Sequence, residues 1–245
     1  RNMMKTYINS PYNIEKTIER IDLNISSDLK SVDNLMNFIQ SKDEEISEEA
    51  SDVTVICVNL NYKILDNSET KSLLKAYKVC HSEMMALFSE NPNYIDFVGF
   101  DGIYSGIFAT SFCHQIDQII ETVGKINASL GFLRLYLEKK LHVKMDFQIG
   151  VDYEDAVVFK DGITVSDECT LKSRSWHGKV FQVAKDLATV EGIDGQHVYI
   201  TSRIFNNLKD EYKKFFESYQ SFYYTNIVNT KIINWAKNYI KNYGE

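Results

Sequence analysis

The sequence predicts an α+β protein with a ferredoxin-like β-α-β-β-α-β core. Short runs of β-branched residues alternate along the chain with longer segments in which apolar residues recur every three or four positions. Two of the short runs are joined only by Gly99-Phe100-Asp101-Gly102, which is typical of a hairpin. The 245 residues are 44% apolar and include only two prolines, so the chain can bury one substantial core.

The N-terminal part predicts a helical arm followed by a linker. Apolar residues recur at roughly helical spacing over residues 13–39. Residues 41–52 are polar and contain two acidic clusters, which favours an exposed linker or a frayed helix end. We therefore expect the core to begin after this linker.

The first half of the core is predicted from four segments. Residues 53–58 form a nearly continuous β-branched run, typical of a strand that is covered on both faces and ends at Asn59. Residues 70–88 have helical periodicity. Residues 94–98 and 103–108 are the two strands of the hairpin.

The second half of the core begins with a long helix over residues 113–138, whose apolar residues keep the spacing of one buried face. Further strands are predicted at residues 142–151, 156–159, 163–165 and 198–200, with a turn at Lys160-Asp161-Gly162. Helices are predicted at residues 176–190 and 227–240. The aromatic residues 215–224 favour a packed edge strand over a surface that stacks on bases, because the protein is acidic.

Composition excludes several classes of partner. The formal net charge of −7 gives no general attraction for nucleic acids or anionic membranes, and we expect neither. No segment reaches the roughly 18 uninterrupted apolar residues that a membrane span needs. The four cysteines have no paired spacing that would bind zinc or form a redox motif. Free thiols of this kind favour a cytoplasmic location.

Asn59 and Asp101 are the candidate metal ligands. Asn59 ends the first predicted strand, and Asp101 lies in the hairpin that neighbours this strand in a ferredoxin-like sheet. Their oxygen atoms suit Mg²⁺ or Mn²⁺, which can bridge the phosphates of a nucleotide. Two such ions roughly 4 Å apart stabilise both the attacking and the leaving oxygen. A turn residue without a ligand role is the alternative interpretation of Asp101.

The chain that contains these candidate ligands resembles the class III nucleotidyl cyclases over residues 52–204. That family has an Asp at the end of the first strand, Gly-Asp-Gly in the hairpin, Ile-Gly in a later strand and Trp-x-Gly before a helix. The matching motifs here are Val58-Asn59-Leu60, Gly99-Phe100-Asp101-Gly102, Ile149-Gly150-Val151-Asp152 and Trp176-His177-Gly178. The resemblance implies a catalytic domain at residues 52–210, between an N-terminal arm and acidic linker at 1–51 and a C-terminal extension at 211–245.

The resemblance also implies the reaction. The ribose 3′-oxygen of a nucleoside triphosphate would attack the α-phosphate and expel pyrophosphate, with positioning and charge stabilisation as the main sources of catalysis. Asp101, Asn59 and the Leu60 carbonyl would hold two Mg²⁺ or Mn²⁺ ions per active site.

Further substrate contacts follow from the same resemblance. The backbone amides that would cradle the phosphates are those of Asn61, Tyr62, Lys63 and Ile64. The helix that begins at Trp176 would come from a partner subunit, so the resemblance implies a homodimer with shared active sites.

The metal positions depart from the family pattern at two residues. Asn59 stands where the family has Asp, and an amide is a neutral, weaker ligand that cannot take a proton from the attacking hydroxyl. We therefore expect lower activity. Phe100 is an extra residue between the hairpin glycine and Asp101, which affects the register of that aspartate.

The catalytic helix departs from the pattern as well. Gln182 stands at the position of the family's transition-state Asn, and its longer side chain can substitute. Asp186 stands at the position of a phosphate-binding Arg or Lys, and an acid repels phosphate. The replacement cation is then Lys185, Lys172 or Arg174.

A second resemblance concerns the arm and the tail. Residues 222–228, leading into Trp235, are similar to the bacterial pyrimidine nucleotide cyclases of Pycsar antiphage defence. This implies UTP or CTP as the substrate and cyclic UMP or cyclic CMP as an alarm signal for a separate effector.

Three alternatives remain open at the level of sequence. The chain can be a catalytically silent cyclase-like module that binds a nucleotide or a partner, which Asn59 and Asp186 favour. It can be a relative of palm-type polymerases or diguanylate cyclases, although these have two adjacent acids in the hairpin and this chain has one. The ring of Trp176 can serve core packing, even in an active cyclase.

Overall fold

An eight-stranded β-sheet is the centre of the fold in the computed structural model, which describes residues 6–7, 14–26, 46–65, 70–166 and 169–243. A separate two-stranded parallel sheet consists of β1 (Thr6–Tyr7) and β10 (Val228–Asn229). The large sheet contains β2 (Ile46–Ile64), β3 (Tyr94–Phe100), β4 (Ile103–Ala109), β5 (Val143–Ser166), β6 (Cys169–His177), β7 (Val198–Thr201), β8 (Glu217–Tyr219) and β9 (Phe222–Thr225). The helices are α1 (Ile14–Ser26), α2 (Thr70–Ser89), α3 (Cys113–Leu141), α4 (Lys179–Thr189), α5 (Ser202–Asn207), α6 (Asp210–Lys213) and α7 (Thr230–Tyr243). Within these ranges, no helix combines the length and the apolar composition that a membrane-spanning segment requires.

The strand order confirms the predicted ferredoxin-like core. The chain passes in turn through β2, α2, β3, β4, α3 and β5, which is the β-α-β-β-α-β sequence of elements. In the sheet these strands lie in the order β3-β4-β2-β5, and β2 pairs antiparallel with both β4 and β5. Strands β7, β9 and β8 extend the sheet beyond β5, while β6 pairs with the C-terminal half of β5.

The first face of the sheet carries the main hydrophobic core. Alternate residues of β2, namely Ile56, Val58 and Leu60, are buried there against α2 and α3. Both helices bury apolar residues at the predicted 3, 4 spacing. The helices predicted at residues 70–88 and 113–138 are confirmed.

The second face of the sheet is covered by α4. Val53, Val55 and Cys57, which alternate with the residues of the main core, are buried there with Val180 and Ala184 of α4. We call this surface of the sheet the α4 face. The next alternate residue of β2 is the candidate ligand Asn59, which therefore belongs to the α4 face as well.

Strand β2 extends further at both ends than the sequence predicted. It begins at Ile46, and residues 46–50 pair with residues 156–160 of β5, so the predicted exposed linker is wrong from Ile46 onwards. It ends at Ile64 rather than Asn59, because residues 60–64 also pair with β5. A partner strand that is distant in sequence satisfies the backbone groups of these polar segments, which outweighs their composition.

Strand β5 replaces three predicted strands. It is continuous from Val143 to Ser166, so the turn predicted at Lys160-Asp161-Gly162 is wrong. Those three residues pair instead with residues 172–174 of β6, a strand that the sequence did not predict. The helix predicted from Trp176 begins at Lys179, and Trp176 lies on β6.

The aromatic C-terminal segment forms an edge of the sheet, as predicted. Strands β8 and β9 pair antiparallel, and β8 is the outer strand. The ring of Tyr223 stacks on Phe205 of α5, with centroids 3.8 Å apart. The last helix, α7, begins at Thr230 rather than at residue 227, and Trp235 on it contacts Phe132 of α3 at a centroid distance of 5.2 Å.

Candidate active site

The turn of the β3–β4 hairpin lies directly beside the backbone of β2. Asp101 and Gly102 form this two-residue turn, with φ angles of 49° and 79°. The N–H of Leu60 donates a 2.8 Å hydrogen bond to the Gly102 carbonyl. A Cβ atom on Gly102 would lie 2.6 Å from the Leu60 carbonyl oxygen, so both conformation and space require glycine here. Asp101 is thereby held next to Leu60.

The extra residue Phe100 leaves Asp101 close to Asn59. Phe100 pairs with Ile103 as the last pair of the hairpin, and Ile103 pairs with Asn59 across the neighbouring ladder. These three residues share the α4 face, because directly opposed residues of a ladder point to the same side. The structure therefore brings the three predicted oxygen donors, Asn59, Asp101 and the Leu60 carbonyl, to one edge of the sheet.

Lys185 of α4 lies near the same edge. Burial raises the pKa of the Cys57 thiol to about 11, while a hydrogen bond with Ser105 and the positive charge of Lys185 oppose this rise. An electrostatic effect on Cys57 requires the ammonium group to lie close to it. Cys57 and Asn59 are successive residues on the α4 face, and Lys185 belongs to the helix that covers this face.

Gln182 and Asp186 contact each other on the exposed side of α4. The Gln182 Nε2 donates a 2.6 Å hydrogen bond to Asp186 Oδ1. This i, i+4 pair occupies the two positions at which the family resemblance expects Asn and a basic residue. The exposed surface of α4 therefore presents a carboxylate directly beside Lys185.

Trp176 links β6 to the far edge of the sheet. Its indole N–H donates a 2.7 Å hydrogen bond to Asp96 Oδ2 on β3. The indole ring packs into the cluster beneath α4 and lies 6.3 Å from the Phe181 ring, which confirms the packing interpretation of Trp176. Asp96 is a polar residue of this region that the sequence analysis missed, because 80 residues separate it from its partner.

Residues 61–64 form the end of β2, so the backbone amides that are expected to bind the phosphates belong to a strand. The N–H of Leu60 points towards β4, and backbone direction alternates along a strand. The amides of Tyr62 and Ile64 consequently point to the same side as that of Leu60, past the end of the hairpin. They are the two amides of this segment that remain directed towards the candidate site.

The side chains of the same segment divide between the two faces. The ring of Tyr62 packs against the main core and lies 4.5 Å from the Tyr77 ring, so it points away from Asn59. Asn61 and Lys63 are exposed and alternate with Tyr62, which places them on the side of Asn59.

Lys172 and Arg174 pair through their backbones with Gly162 and Lys160 of β5. Their side chains fall outside the described residues. Their expected contacts with the substrate phosphates therefore stay a prediction.

The sequence also did not indicate a buried ion pair near α5. Asp152 of β5 is fully buried and accepts 2.7 Å hydrogen bonds from Arg203 Nη2 and Thr201 Oγ1. The other guanidinium nitrogen of Arg203 lies 2.8 Å from Glu154. This cluster joins α5 to the sheet, and no spacing in the sequence indicates it, since its partners are 51 residues apart.

The donor set suits one hard divalent cation. An amide, a carbonyl and a carboxylate are the oxygen ligands that Mg²⁺ prefers. Among the described residues, no three His, Cys, Asp or Glu side chains come together as a metal site, and Asp101 is the one carboxylate among the three predicted donors. A second ion would depend on nucleotide phosphates for its ligands.

No family model matches the chain, and no curated protein sequence matches it. Solved structures do match. The adenylyl cyclase CyaB from P. aeruginosa aligns with a TM-score of 0.55 at 10% identity, over 73% of this chain and 95% of that one. A bacterial light-regulated adenylyl cyclase aligns at 0.54 and 14% identity, over 80% and 58%. The guanylyl cyclase Cya2 aligns at 0.50 and 12% identity, over 74% and 92%.

This chain has the fold of adenylyl and guanylyl cyclase domains. The resemblance expected from the sequence motifs is confirmed at the level of fold. Because adenylyl and guanylyl cyclases match with similar scores, the cyclase fold by itself does not distinguish one base from another.

Proposed function

We propose that this protein is a nucleotide cyclase that converts UTP or CTP to the 3′,5′-cyclic monophosphate and pyrophosphate. The observation that carries the proposal is the convergence of Asn59, the Leu60 carbonyl and Asp101 at one sheet edge in a chain with the cyclase fold. In this reaction the ribose 3′-oxygen bonds to the α-phosphorus, the bond from that phosphorus to pyrophosphate breaks, and the 3′-hydroxyl proton is released.

Asp101, Asn59 and the Leu60 carbonyl are the proposed ligands of Mg²⁺ or Mn²⁺. A bound divalent cation neutralises phosphate charge and favours ionisation of the attacking hydroxyl. Asp101 supplies the charge that attracts the ion. Asn59 supplies an oxygen atom and no charge, so the proposed activity is lower than that of the same chain with Asp at this position.

The triphosphate is proposed to lie between β2 of one subunit and α4 of its partner subunit. Lys185 of that α4 would bind the phosphate oxygens through its ammonium group. The amides of Tyr62 and Ile64 would add oriented dipoles from the strand. Gln182 would stabilise charge on the α-phosphate with its side-chain amide, once that amide leaves Asp186. Asp186 would oppose phosphate binding unless a cation neutralises it.

A second copy of the chain is proposed to complete the site. Phe100 and Val98 are 81% and 47% exposed on the α4 face, beside the metal donors. Exposed apolar residues that adjoin a polar site are typical of an interaction surface. A homodimer through this surface would bring the Trp176 segment and α4 of one subunit to the donors of the other.

The choice of a pyrimidine and a role in antiphage signalling rest on the similarity of residues 222–228 and Trp235 to Pycsar cyclases. These residues belong to β9, β10 and α7, which form the C-terminal extension of the fold. The cyclic product would act on a separate effector in the cytoplasm.

The test is incubation with each of the four nucleoside triphosphates and Mn²⁺, followed by mass spectrometry of the products. We expect cyclic UMP or cyclic CMP from the wild-type chain and more of the same product from Asn59→Asp. Asp101→Asn should abolish it. Asn206→Asp is the matched control, because it makes the same change at an exposed residue of α5 that is not part of the proposed site, and it should leave the rate unchanged.

Shared sites can be tested by mixing two inactive variants. Asp101→Ala and Lys185→Ala damage different parts of the site, so a mixed dimer with shared sites contains one site that carries neither defect. Recovery of activity on mixing supports the homodimer. A strictly monomeric chain contradicts the homodimer. An inactive mixture of the two variants also contradicts it, provided that the wild-type chain is active.

A second candidate function is a silent cyclase-like module. Asn59 at a metal position and the Gln182–Asp186 hydrogen bond at two catalytic positions favour it. Saturable binding of a nucleoside triphosphate, without product from wild type or Asn59→Asp, would select this function. Absence of both product and nucleotide binding would contradict the cyclase and leave only a silent module that binds a partner.

A further inference from the structure

A cavity of about 190 Å³ lies between α3 and α7, on the side of the sheet opposite to Asn59. Its walls are the rings of Phe132 and Tyr136 from α3 and of Tyr239 from α7. The three ring centroids lie between 5.4 and 6.2 Å from one another. Phe132 and Tyr136 are only 5% and 8% exposed, so the core holds these walls in place.

The rim of the cavity combines apolar and positively charged residues. Leu135 and Ile240 are 52% and 42% exposed at this rim, although both are large and apolar. Lys139 and Lys140, from the last turn of α3, also line the cavity. The ammonium group of Lys140 lies 5.8 Å from the centre of the Tyr136 ring.

We propose that this cavity binds a small aromatic carboxylate. An apolar cavity of about 150 Å³ is large enough to bind benzene, so 190 Å³ accommodates one aromatic ring with a substituent. The aromatic walls offer edge and face contacts to such a ring. Lys139 and Lys140 complement a carboxylate at the mouth, which favours an anion over a neutral aromatic compound.

Occupancy of the cavity would also affect the N-terminal helix. The Tyr136 hydroxyl donates a 2.6 Å hydrogen bond to Asp22 of α1. A ligand that packs against the Tyr136 ring therefore fixes the side chain that holds α1 in place. The proposed site is independent of the proposed cyclase activity, because none of its residues belongs to the candidate active site.

The chain carries its own reporter for this cavity. Trp235 stacks on Tyr239 with centroids 5.1 Å apart, and the only other tryptophan of the protein is Trp176. In Trp176→Phe the fluorescence therefore comes from Trp235 beside the cavity, and in Trp235→Phe it comes from Trp176 beneath α4. The probe is 4-iodobenzoate, an aromatic carboxylate whose iodine atom quenches tryptophan on contact.

We expect saturable quenching of Trp235 and a weak, linear effect on Trp176. Lys139→Gln/Lys140→Gln should weaken the apparent affinity about fivefold, whereas Lys231→Gln/Lys237→Gln on the exposed side of α7 should not change it. Leu135→Glu, an exposed position at the mouth, should abolish saturable quenching.

Linear quenching of both tryptophans overturns the proposal. The same result is expected if a segment of the chain itself fills the cavity in solution, and it overturns the proposal in that case too. Equal affinity for 4-iodobenzyl alcohol, or unchanged affinity in Lys139→Gln/Lys140→Gln, overturns the choice of an anion. If either tryptophan variant fails to fold, calorimetric titration of the wild-type chain with 4-iodobenzoate gives the same decision. Wild type must then bind and Leu135→Glu must not.

Discussion

A Cβ atom at Gly150 of β5 would lie 2.0 Å from the carbonyl oxygen of Ala184 in α4. It would also lie 2.6 Å from the backbone nitrogen of Ala188. Both contacts are with backbone atoms, so no side-chain rotation can relieve them. The position of α4, and with it that of Lys185 and Gln182, therefore depends on the absence of a side chain at Gly150.

Gly150→Ala should destabilise the protein and displace α4. Overpacking of this kind costs about 1–3 kcal/mol. The matched control is Gly131→Ala in α3, where a Cβ would meet no atom within 4 Å. Alanine should raise the free energy of unfolding there by about 0.5–1 kcal/mol through its higher helix propensity. Urea unfolding followed by circular dichroism measures both. A Gly150→Ala protein as stable as wild type would show that α4 does not lie this close to β5.

The sequence was sufficient to predict the elements of the core, because the patterns that indicate each element lie within that element. The 3, 4 spacing from Ile116 onwards lies within one helix, and the Gly-Phe-Asp-Gly turn lies within one hairpin. Strand lengths are not local. Ile46 extends β2 only because it meets Lys160, more than a hundred residues later, and that pairing overrides an acidic composition.

The candidate site was predictable in part for the same reason. Asn59 and Asp101 each end a recognisable element, so their meeting follows from the order of the strands. The hydrogen bond between Asp96 and Trp176 connects β3 with a strand that the sequence did not predict. Contacts that depend on β6 could therefore not be predicted from hydrophobic periodicity or from turn residues.

A buried ion pair between α1 and α2 predicts a pH-dependent stability. Arg20 contacts Glu83 through two hydrogen bonds of 2.8 and 3.2 Å, and the Glu83 side chain is fully buried. Burial raises the pKa of Glu83, nearby Glu90 adds to the rise, and Arg20 opposes it. Because the pKa is higher in the folded state, the stability linked to Glu83 is present below the ordinary glutamate pKa and is lost as pH rises through the raised pKa.

Arg20→Met should therefore cost about 3 kcal/mol at neutral pH, since it leaves a carboxylate unpaired in the core. The loss should shrink as pH falls towards the ordinary glutamate pKa, because protonation removes the buried charge. Urea unfolding at about pH 5 and about pH 8 measures the difference. The double variant Arg20→Met/Glu83→Leu is the control and should lose this pH dependence; an equal cost for Arg20→Met at both pH values would contradict a charged, buried Glu83.

The cysteines should differ in reactivity according to burial. Cys113 is exposed, while burial raises the pKa of Cys57 to about 11 and that of Cys80 to about 12. The thiolate is the reactive form, so iodoacetamide near neutral pH should alkylate Cys113 before Cys57 and Cys80, which should react only after unfolding. Peptide mapping by mass spectrometry reports each cysteine separately. Early alkylation of Cys57 would mean that α4 lifts away from the sheet.

Asp186→Arg should raise the affinity for a nucleoside triphosphate about tenfold, because it replaces a repelling carboxylate with a cation that can bind phosphate in two places. It also frees the Gln182 amide, which donates to Asp186 in the wild-type chain. Asp186→Asn separates the two effects, since it removes the charge and keeps an acceptor for Gln182. We expect its affinity to lie between those of the wild type and Asp186→Arg.

The matched control is Glu191→Arg, an exposed residue just beyond the end of α4 that makes the same change in net charge. Calorimetric titration with a non-hydrolysable triphosphate measures affinity independently of turnover. If Glu191→Arg gains as much as Asp186→Arg, the effect is general electrostatic attraction rather than a contact with α4. If neither variant gains, the triphosphate does not lie against the exposed side of α4, and the role proposed for Lys185 falls with it.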